Sequence, residues 1–182
     1  MVIKPSELTP LTTLMYAEAA QEAGLPPGVI NVLTGTGAGI GTELVTHESV
    51  AMVSFTGSTV VGRQVAGLAA GAAKRVHLEL GGKAPFVVHE DADLDAAIQG
   101  AVAGSLINTG QDCTAATRAI VHRSVYDEFC AGVADVMAGV VLGAPGDEAT
   151  DLGPLVSFVQ RDRVAGHVAG AVAEGAKVFC GA

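Results

Sequence analysis

The segment "GQDCTAATR", residues 110 to 118, places a single cysteine between a glycine turn and a run of small residues. The thiol of Cys113 could act as a nucleophile, because a cysteine at the start of a helical turn is favoured as a thiolate. Two facts oppose that interpretation. A lone cysteine is more often a small buried apolar residue, and the neighbouring carboxylate of Asp112 disfavours a second negative charge. The residues around Cys113 alone leave both interpretations open.

A second candidate is Glu79, which ends an apolar strand in "HLELGGK". A carboxylate in an apolar setting has a raised pKa and can serve as a general base. Glutamate at an exposed position of a strand is the more common case, so Glu79 by itself is also ambiguous.

Two glycine-rich turns each follow a predicted strand and precede a predicted helix. They are "GTGAGIG", residues 35 to 41, and "SFTGSTVVG", residues 54 to 62. Such turns let a backbone approach a phosphate at a helix N-terminus, and ligands gather at the carboxyl ends of parallel strands. Neither turn has the G-x-G-x-x-G spacing, so plain turns remain an equal alternative.

The remaining candidates are weaker. The five histidines show no metal-ligand spacing, and we interpret them as surface or satisfied core residues. The acidic run "HEDADLD", residues 89 to 95, is explained by the preference of carboxylates for helix N-termini. The three cysteines, Cys113, Cys130 and Cys180, contain no C-x-x-C pair, so neither a zinc site nor a disulfide framework is predicted.

Composition excludes several functional classes. Nineteen acidic residues against ten basic ones give a net charge of -9, and no basic patch is visible, so a nucleic-acid partner is not expected. The start "MVIKPSE" does not resemble a signal peptide, and no apolar stretch is long enough for a membrane span, so we expect a cytoplasmic protein without a membrane partner. Apolar residues make up 49% of the 182 residues and charged ones 16%, which favours self-association or a homo-oligomer.

The order of the elements predicts an α/β fold. Residues 1 to 82 alternate short strands and helices with glycine turns, which indicates a parallel sheet covered by helices. The predicted strands of this part are 2–4, 29–33, 50–55 and 75–80. Residues 83 to 182 contain predicted helices that begin near Asp93, Ser124 and Val159, and predicted strands over 85–89, 119–122 and 176–180. We place a domain boundary between residues 82 and 83, where the pattern changes.

Six segments taken together resemble one family. The segments "KPSELTP", "GLPPGVINVLTG", "SFTGSTVVGR", "LELGGKAPFVV", "DADLDAAI" and "GQDCTAATR" have the order and spacing of the NAD(P)-dependent aldehyde dehydrogenases. The resemblance covers essentially the whole chain. It implies a partial Rossmann-like dinucleotide-binding domain over residues 1–82 and a partial catalytic domain over residues 83–182, both incomplete, because complete members are more than twice as long.

The resemblance also implies roles. Cys113 matches the nucleophile that attacks the aldehyde carbon, and its backbone N–H matches part of the oxyanion hole. Glu79 matches the base that activates water against the thioester, so that an aldehyde is oxidised to a carboxylic acid. The expected cofactor is NAD rather than NADP, since the carboxylate of Glu7 would repel a 2′-phosphate. The residues expected to contact the cofactor are Lys4, Ser6, Glu7, Gly37, Gly57, Ser58, Gly62 and Leu80.

"GQDCTAATR" is particularly similar to bacterial γ-aminobutyraldehyde dehydrogenases, in which an aspartate also precedes the cysteine. Asp112 could then meet a substrate ammonium, as in 4-aminobutanal. The alternative is an inactive aldehyde dehydrogenase fragment that serves as a folding or interaction module, because segments of a complete enzyme are expected to be absent.

Overall fold

The computed structural model describes residues 1–181 and divides the chain into two compact units, Met1–Leu80 and Gly81–Ala182. Both units mix helices with pairs of parallel strands, so the predicted α/β fold class is confirmed. The proposed functional boundary between residues 82 and 83 stays a prediction.

The first unit contains two parallel strand pairs and three α-helices. The first strand pairs with the second and the third with the fourth; within residues 1–80 the four strands do not join into one sheet. A π-helix, Gly37–Gly41, runs directly into the second α-helix. The elements are β1 Val2–Ile3, α1 Leu11–Glu22, β2 Asn31–Val32, α2 Thr42–Thr46, β3 Met52–Gly57, α3 Thr59–Gly71 and β4 Arg75–Leu80.

A small apolar core holds the β3–β4 pair against two helices. Val45 of α2 and Val65 and Ala69 of α3 are buried, with Ala69 completely inaccessible to solvent. They pack on the half-buried side chains of the two strands, which are Val53, Phe55, Val76 and Leu78. Alternation along a strand therefore turns the other set of side chains away from the helices.

The second unit has one parallel strand pair and three α-helices. Its core is formed by Val88, Ile98, Ala101 and Phe129. Short 3₁₀ turns follow α4 and precede α5. The elements are β5 Pro85–Val88, α4 Leu94–Leu106, β6 Arg118–Val121, α5 Tyr126–Ala138 and α6 Phe158–Ala173.

The helix caps test the sequence predictions individually. Asp93 caps α4 as predicted, since its carboxylate accepts from the amide of Ala96 at 3.1 Å. Thr9 before Pro10 predicts a cap by Thr9 for α1, but α1 begins after Pro10 without a side-chain cap, so this prediction is wrong. The segment "SVYD", Ser124 to Asp127, predicts a capping box for α5. This prediction is also wrong, because the hydroxyl of Ser124 bonds to the His122 ring at 2.8 Å instead.

The predicted strand over residues 176–180 is absent: these residues form no strand. Helix α6 ends in a turn at Gly175, which has a φ of 96°. Val178 and Phe179 after it are exposed. Apolar composition predicted a strand here, but a strand needs a hydrogen-bonded neighbour, and the described part of the chain provides none for this segment.

Candidate functional site

The turn before Cys113 has a strained backbone. Asn108 and Thr109 have φ values of 49° and 60°, and Gly110 follows with 73°. The left-handed conformation is costly for a β-branched residue such as Thr109, and it persists only where surrounding contacts hold it. Gln111 supplies such contacts.

The Gln111 side chain joins two segments. Its amide nitrogen donates to the carbonyl of Asn108 at 3.2 Å, and its Oε1 accepts from the backbone amide of Val156 at 3.0 Å. The Asn108 side chain donates in return to the carbonyl of Gln111 at 3.2 Å. The hydroxyl of Thr109 also donates to the carbonyl of Gly153 at 3.4 Å. The strained turn is thus tied to the loop before α6.

The carboxylate of Asp112 is hydrogen-bonded to Thr114, on the other side of the nucleophile candidate Cys113. One oxygen accepts from the amide of Thr114 at 2.7 Å and from its hydroxyl at 2.5 Å. These two hydrogen bonds lower the pKa of Asp112, because they stabilise the charged form. The conformation of Cys113 is therefore set by the residues on both sides of it.

The thiol of Cys113 is exposed, whereas Cys130 and Cys180 are partly buried. The predicted helical turn after Cys113 is absent, since an irregular segment leads from it to β6. The buried residue of this segment is Ala115, which is 5% exposed. The accessibility of the thiol fits a nucleophile, while the helix-terminus argument for a thiolate is not supported.

Glu79 lies near the end of β4, on the side of the strand opposite the helices. Its side chain is 60% exposed, so the apolar setting expected from the sequence is absent within the first unit. One carboxylate oxygen lies 3.2 Å from Nε2 of His77, and Nδ1 of the same ring lies 3.1 Å from the hydroxyl of Ser54. The carboxylate of the base candidate thus lies in ion-pair contact with a histidine ring, whose other nitrogen is hydrogen-bonded to a serine hydroxyl.

Sequence reasoning missed His77 and Ser54. The sequence alone suggests that His77 is an ordinary surface or core residue and that Ser54 is only the first residue of a glycine-rich turn. Alternation in "VSF" and "VHLE" places each residue on one face of its strand. The signal that joins them is the parallel register of β3 and β4, which pairs Ser54 with His77.

The cofactor candidates near β1 form a local cluster. The Lys4 ammonium donates to the carbonyls of Pro5 at 2.5 Å and Gly35 at 3.1 Å, and it lies 3.8 Å from the Glu7 carboxylate. The hydroxyl of Ser6 accepts from the amide of Leu8 at 3.3 Å. Lys4 and Glu7 are therefore brought together beside the first glycine-rich turn.

The second glycine-rich turn leads into α3. The hydroxyl of Ser58 caps the helix by accepting from the amide of Val61 at 3.3 Å. Gly57 ends β3 just before it. Gly62 is buried against Leu80, and a Cβ at Gly62 would lie 2.6 Å from a Leu80 methyl group. Gly62 and Leu80, which were both predicted to contact the cofactor, therefore pack against each other.

The first glycine-rich turn is more open. At Gly37, within the π-helix, an added Cβ would meet no atom within 4 Å. The hydroxyl of Thr36 caps the turn by accepting a hydrogen bond from the amide of Gly39 at 3.1 Å.

Glu79 and the eight cofactor candidates belong to the first unit, and Cys113 belongs to the second.

The described residues offer neither a metal site nor a membrane-spanning helix. Residues 1–181 contain no group of three or more histidine, cysteine, aspartate or glutamate side chains that could hold a metal ion. None of the helices described has the length and apolar character that crossing a membrane requires.

Comparison with known proteins gives the family. The sequence profile described as "Aldehyde dehydrogenase family" matches residues 1–182. The chain belongs to this family. A relative in Rhizobium meliloti named betaine aldehyde dehydrogenase 1 is 49% identical to this chain over 181 residues. The matched segment covers 100% of this chain and 37% of the relative. The chain thus spans just over a third of the length of the curated relatives it matches.

Two solved structures extend the aldehyde dehydrogenase comparison. Aldehyde dehydrogenase C from Pseudomonas syringae, a cysteine-to-alanine mutant in complex with NAD⁺ and octanal, superposes with a TM-score of 0.95 at 42% identity and covers 99% of this chain and 37% of its own. An NADP-dependent enzyme from E. coli gives a TM-score of 0.96 at 44% identity and covers 100% of this chain and 38% of its own. The aldehyde dehydrogenase fold of the described residues is therefore shown.

Proposed function

We propose that this chain takes part in the NAD-dependent oxidation of an aldehyde to a carboxylic acid, with Cys113 as the nucleophile. The observation that carries the proposal is the exposed thiol of Cys113, held in a turn that Gln111 ties to Val156. A nucleophile needs an accessible reacting atom in a defined position. The P. syringae relative was solved with NAD⁺ and octanal, which supports NAD and an aldehyde as the ligands.

The proposed chemistry has two halves. In the first, the Cys113 sulfur bonds to the aldehyde carbon and the carbonyl oxygen becomes an oxyanion. The Cys113 amide donates to no other protein atom among residues 1–181, so it is free to stabilise that oxyanion. A bound nicotinamide would supply the hydride acceptor. As the oxyanion re-forms the carbonyl, the C–H bond of the former aldehyde carbon breaks, and loss of this hydride leaves a thioester on Cys113.

In the second half, a water molecule attacks the thioester carbon. Glu79 takes a proton from this water as its oxygen bonds to carbon, and the bond between carbon and sulfur then breaks. The products are the carboxylic acid and the restored thiolate. The exposure of the Glu79 carboxylate supports this role, because water can reach it.

The residues of the first unit fit an NAD cofactor. The open backbone at Gly37 and the capped N-terminus of α3 at Ser58 leave space and backbone donors for a pyrophosphate. Lys4 and Glu7 would hold the adenosine ribose. The negative charge of Glu7 favours a free 2′-hydroxyl over the 2′-phosphate of NADP, although the E. coli relative is NADP-dependent.

We propose an aldehyde that carries a positively charged nitrogen as the substrate class. The R. meliloti relative is named for betaine aldehyde, and the "GQDC" segment resembles γ-aminobutyraldehyde dehydrogenases. Both substrates are cations. Asp112 would supply a negative charge beside the nucleophile, since the hydrogen bonds from Thr114 keep its carboxylate ionised.

The substrate class is tested with two variants of Asp112. Asp112→Asn retains a side-chain oxygen that can accept from Thr114 but removes the charge, whereas Asp112→Val removes both. We expect Asp112→Asn to reduce kcat/KM for betaine aldehyde and 4-aminobutanal far more than for propanal. Equal losses for charged and uncharged aldehydes would contradict a role for the charge.

The catalytic proposal is tested by NADH formation from the purified chain with each of these aldehydes. Cys113→Ala should abolish turnover, and Cys130→Ala is the matched control because its thiol is partly buried. Activity that survives Cys113→Ala would refute the nucleophile assignment. A folded chain without turnover would favour the alternative of an inactive folding or interaction module.

We also propose that the chain self-associates or forms a homo-oligomer. Phe158 and Val159 at the start of α6 are 77% and 81% exposed, and Leu142 is 75% exposed. Exposed apolar groups of this size favour association. Light scattering should show a mass that rises with concentration and falls in Phe158→Asp, and a monomeric mass at all concentrations would contradict the proposal.

A further inference from the structure

The parallel register of β3 and β4 places polar side chains of both strands on one face. Ser54 lies opposite His77, and Thr56 lies opposite Glu79. Since side chains alternate along a strand, His77 and Glu79 share the face that the helices do not cover. His77 therefore has Ser54 beside it across the ladder and Glu79 two residues further along its own strand.

Both nitrogens of the His77 ring are engaged. Nε2 lies 3.2 Å from Oε1 of Glu79, and Nδ1 lies 3.1 Å from Oγ of Ser54. The oxygens of an ionised carboxylate only accept, so the tautomer with its proton on Nε2 is the favourable one beside Glu79. In the neutral ring Nδ1 is then an acceptor, and the Ser54 hydroxyl donates to it.

We propose that His77 is a positioning residue for Glu79. The Nε2–H of His77 holds Oε1 of the carboxylate in place and leaves Oε2 free to meet a water molecule. Ser54 fixes the tautomer of the ring that makes this contact. The inference rests on the proposed function, in which Glu79 is the base of the second half-reaction.

A serine, a histidine and a glutamate in this order also resemble a nucleophilic triad. Ser54 lies within β3, however, whose backbone is engaged in the ladder with β4. A serine nucleophile needs backbone donors aimed at an oxyanion, and a ladder position does not supply them. Positioning of Glu79 is the role that this geometry favours.

The other charges around His77 are few. On the same face of β4, Arg75 lies two residues before His77, and the side chains of β3 on this face, Met52, Ser54 and Thr56, carry no charge. Helices α2 and α3 pack on the opposite face through Val45, Val65 and Ala69. Glu79 and Arg75 are thus the charged groups on the face that holds the ring.

The first test measures the Glu79 side chain itself by NMR, through rotamer-dependent couplings and methylene relaxation in the purified chain. Two variants differ in where they place an N–H. A glutamine amide reaches the position of Nε2, whereas an asparagine amide reaches only that of Nδ1. We expect one Glu79 rotamer in the wild type and in His77→Gln, and rotamer averaging in His77→Asn. A Glu79 side chain that is equally mobile in all three would overturn the proposal.

The second test separates the two halves of the reaction by rapid-mixing kinetics. His77→Asn should retain a burst of NADH and lower the steady-state kcat by about tenfold, less than the ~10²–10⁴ expected for loss of the base in Glu79→Gln. His77→Gln should restore most of kcat. The matched control is His122→Gln, since His122 lies between Ser124 at 2.8 Å and Glu90 at 3.6 Å in the second unit.

Rescue by the conservative variant is the readout that a merely structural role would not move. A steady-state kcat of His77→Gln as low as that of His77→Asn would overturn the proposal.

The remaining outcomes are also decisive. If ester hydrolysis by the chain requires Ser54 but not Cys113, Ser54 is a nucleophile and the positioning role is wrong. If Cys113→Ala leaves turnover intact, or if no turnover occurs, the proposed function fails, and the NMR comparison alone then decides whether His77 holds Glu79.

Discussion

Gln111 accepts a hydrogen bond from the backbone amide of Val156, which lies 45 residues further along the chain, at 3.0 Å. We expect Gln111→Ala to release the loop around Val156 and to raise its amide exchange rate about fivefold, since a net hydrogen bond contributes about 1 kcal/mol. Gln111→Glu is the control, because it retains the accepting oxygen. Equal exchange in wild type and Gln111→Ala would show that other contacts hold this loop.

Close packing of α3 on β4 predicts opposite effects for two glycines of the same helix. Gly62→Ala places a methyl group 2.6 Å from a methyl of Leu80, so it should destabilise the chain by about 1–2 kcal/mol. Gly67 is exposed and has no atom within 4 Å of an added Cβ. Gly67→Ala should stabilise by about 0.5–1 kcal/mol through helix propensity. Denaturant unfolding of both variants measures the contrast.

The turn after α3 contains a strained alanine. Ala73 has a φ of 51° and is exposed. Ala73→Gly relieves a left-handed conformation that costs an L-residue about 1–2 kcal/mol, which exceeds the roughly 0.5–1 kcal/mol of added chain entropy. The melting temperature should rise. Ala72, with a φ of -109°, provides the control, and Ala72→Gly should lower it. A fall in both variants would mean that Ala73 is not strained.

Asp112 gives the chain an acid-sensitive element. Hydrogen bonds from Thr114 lower the pKa of Asp112 in the folded chain. Because the folded value is the lower one, the stabilisation is complete above the ordinary carboxyl range near pH ~4 and is lost as pH falls through the lowered value. Thermal unfolding between about pH 7 and about pH 2 should show this loss in the wild type.

The control for that pH series is Asp112→Asn, which cannot ionise and can still accept from Thr114 through its oxygen. Its stability should lack this part of the acid response. If the wild type and Asp112→Asn lose stability in parallel, the hydrogen bonds from Thr114 do not depend on the charge of Asp112.

The sequence predicted an element well where a regular pattern of apolar residues ended at a residue that caps or breaks it. The strand Arg75–Leu80 has the predicted bounds, and Asp93 caps α4 as predicted. Residues 176–180 show the limit of this reasoning, because apolar composition does not reveal whether a neighbouring strand exists. Glu79 shows the same limit at the site, since its exposure depends on which face of β4 the helices cover.

The pairing of Ser54 with His77 could not be predicted from the sequence. It depends on the register of two strands that are joined through α3, and each strand pattern alone is compatible with several registers. The tie between Gln111 and Val156 is equally remote, because it joins a turn to a loop without a repeating pattern. In both cases local spacing identified the elements, and tertiary packing decided which side chains meet.

The alternation along β3 and β4 restricts how this segment can evolve. Exchange of one side chain for another changes one contact, but insertion or deletion of a single residue in β4 would turn His77 and Glu79 towards α3 and the apolar side chains towards solvent. This segment can therefore evolve through point substitutions, whereas insertions and deletions are tolerated only in the turn between α3 and β4 or after Leu80.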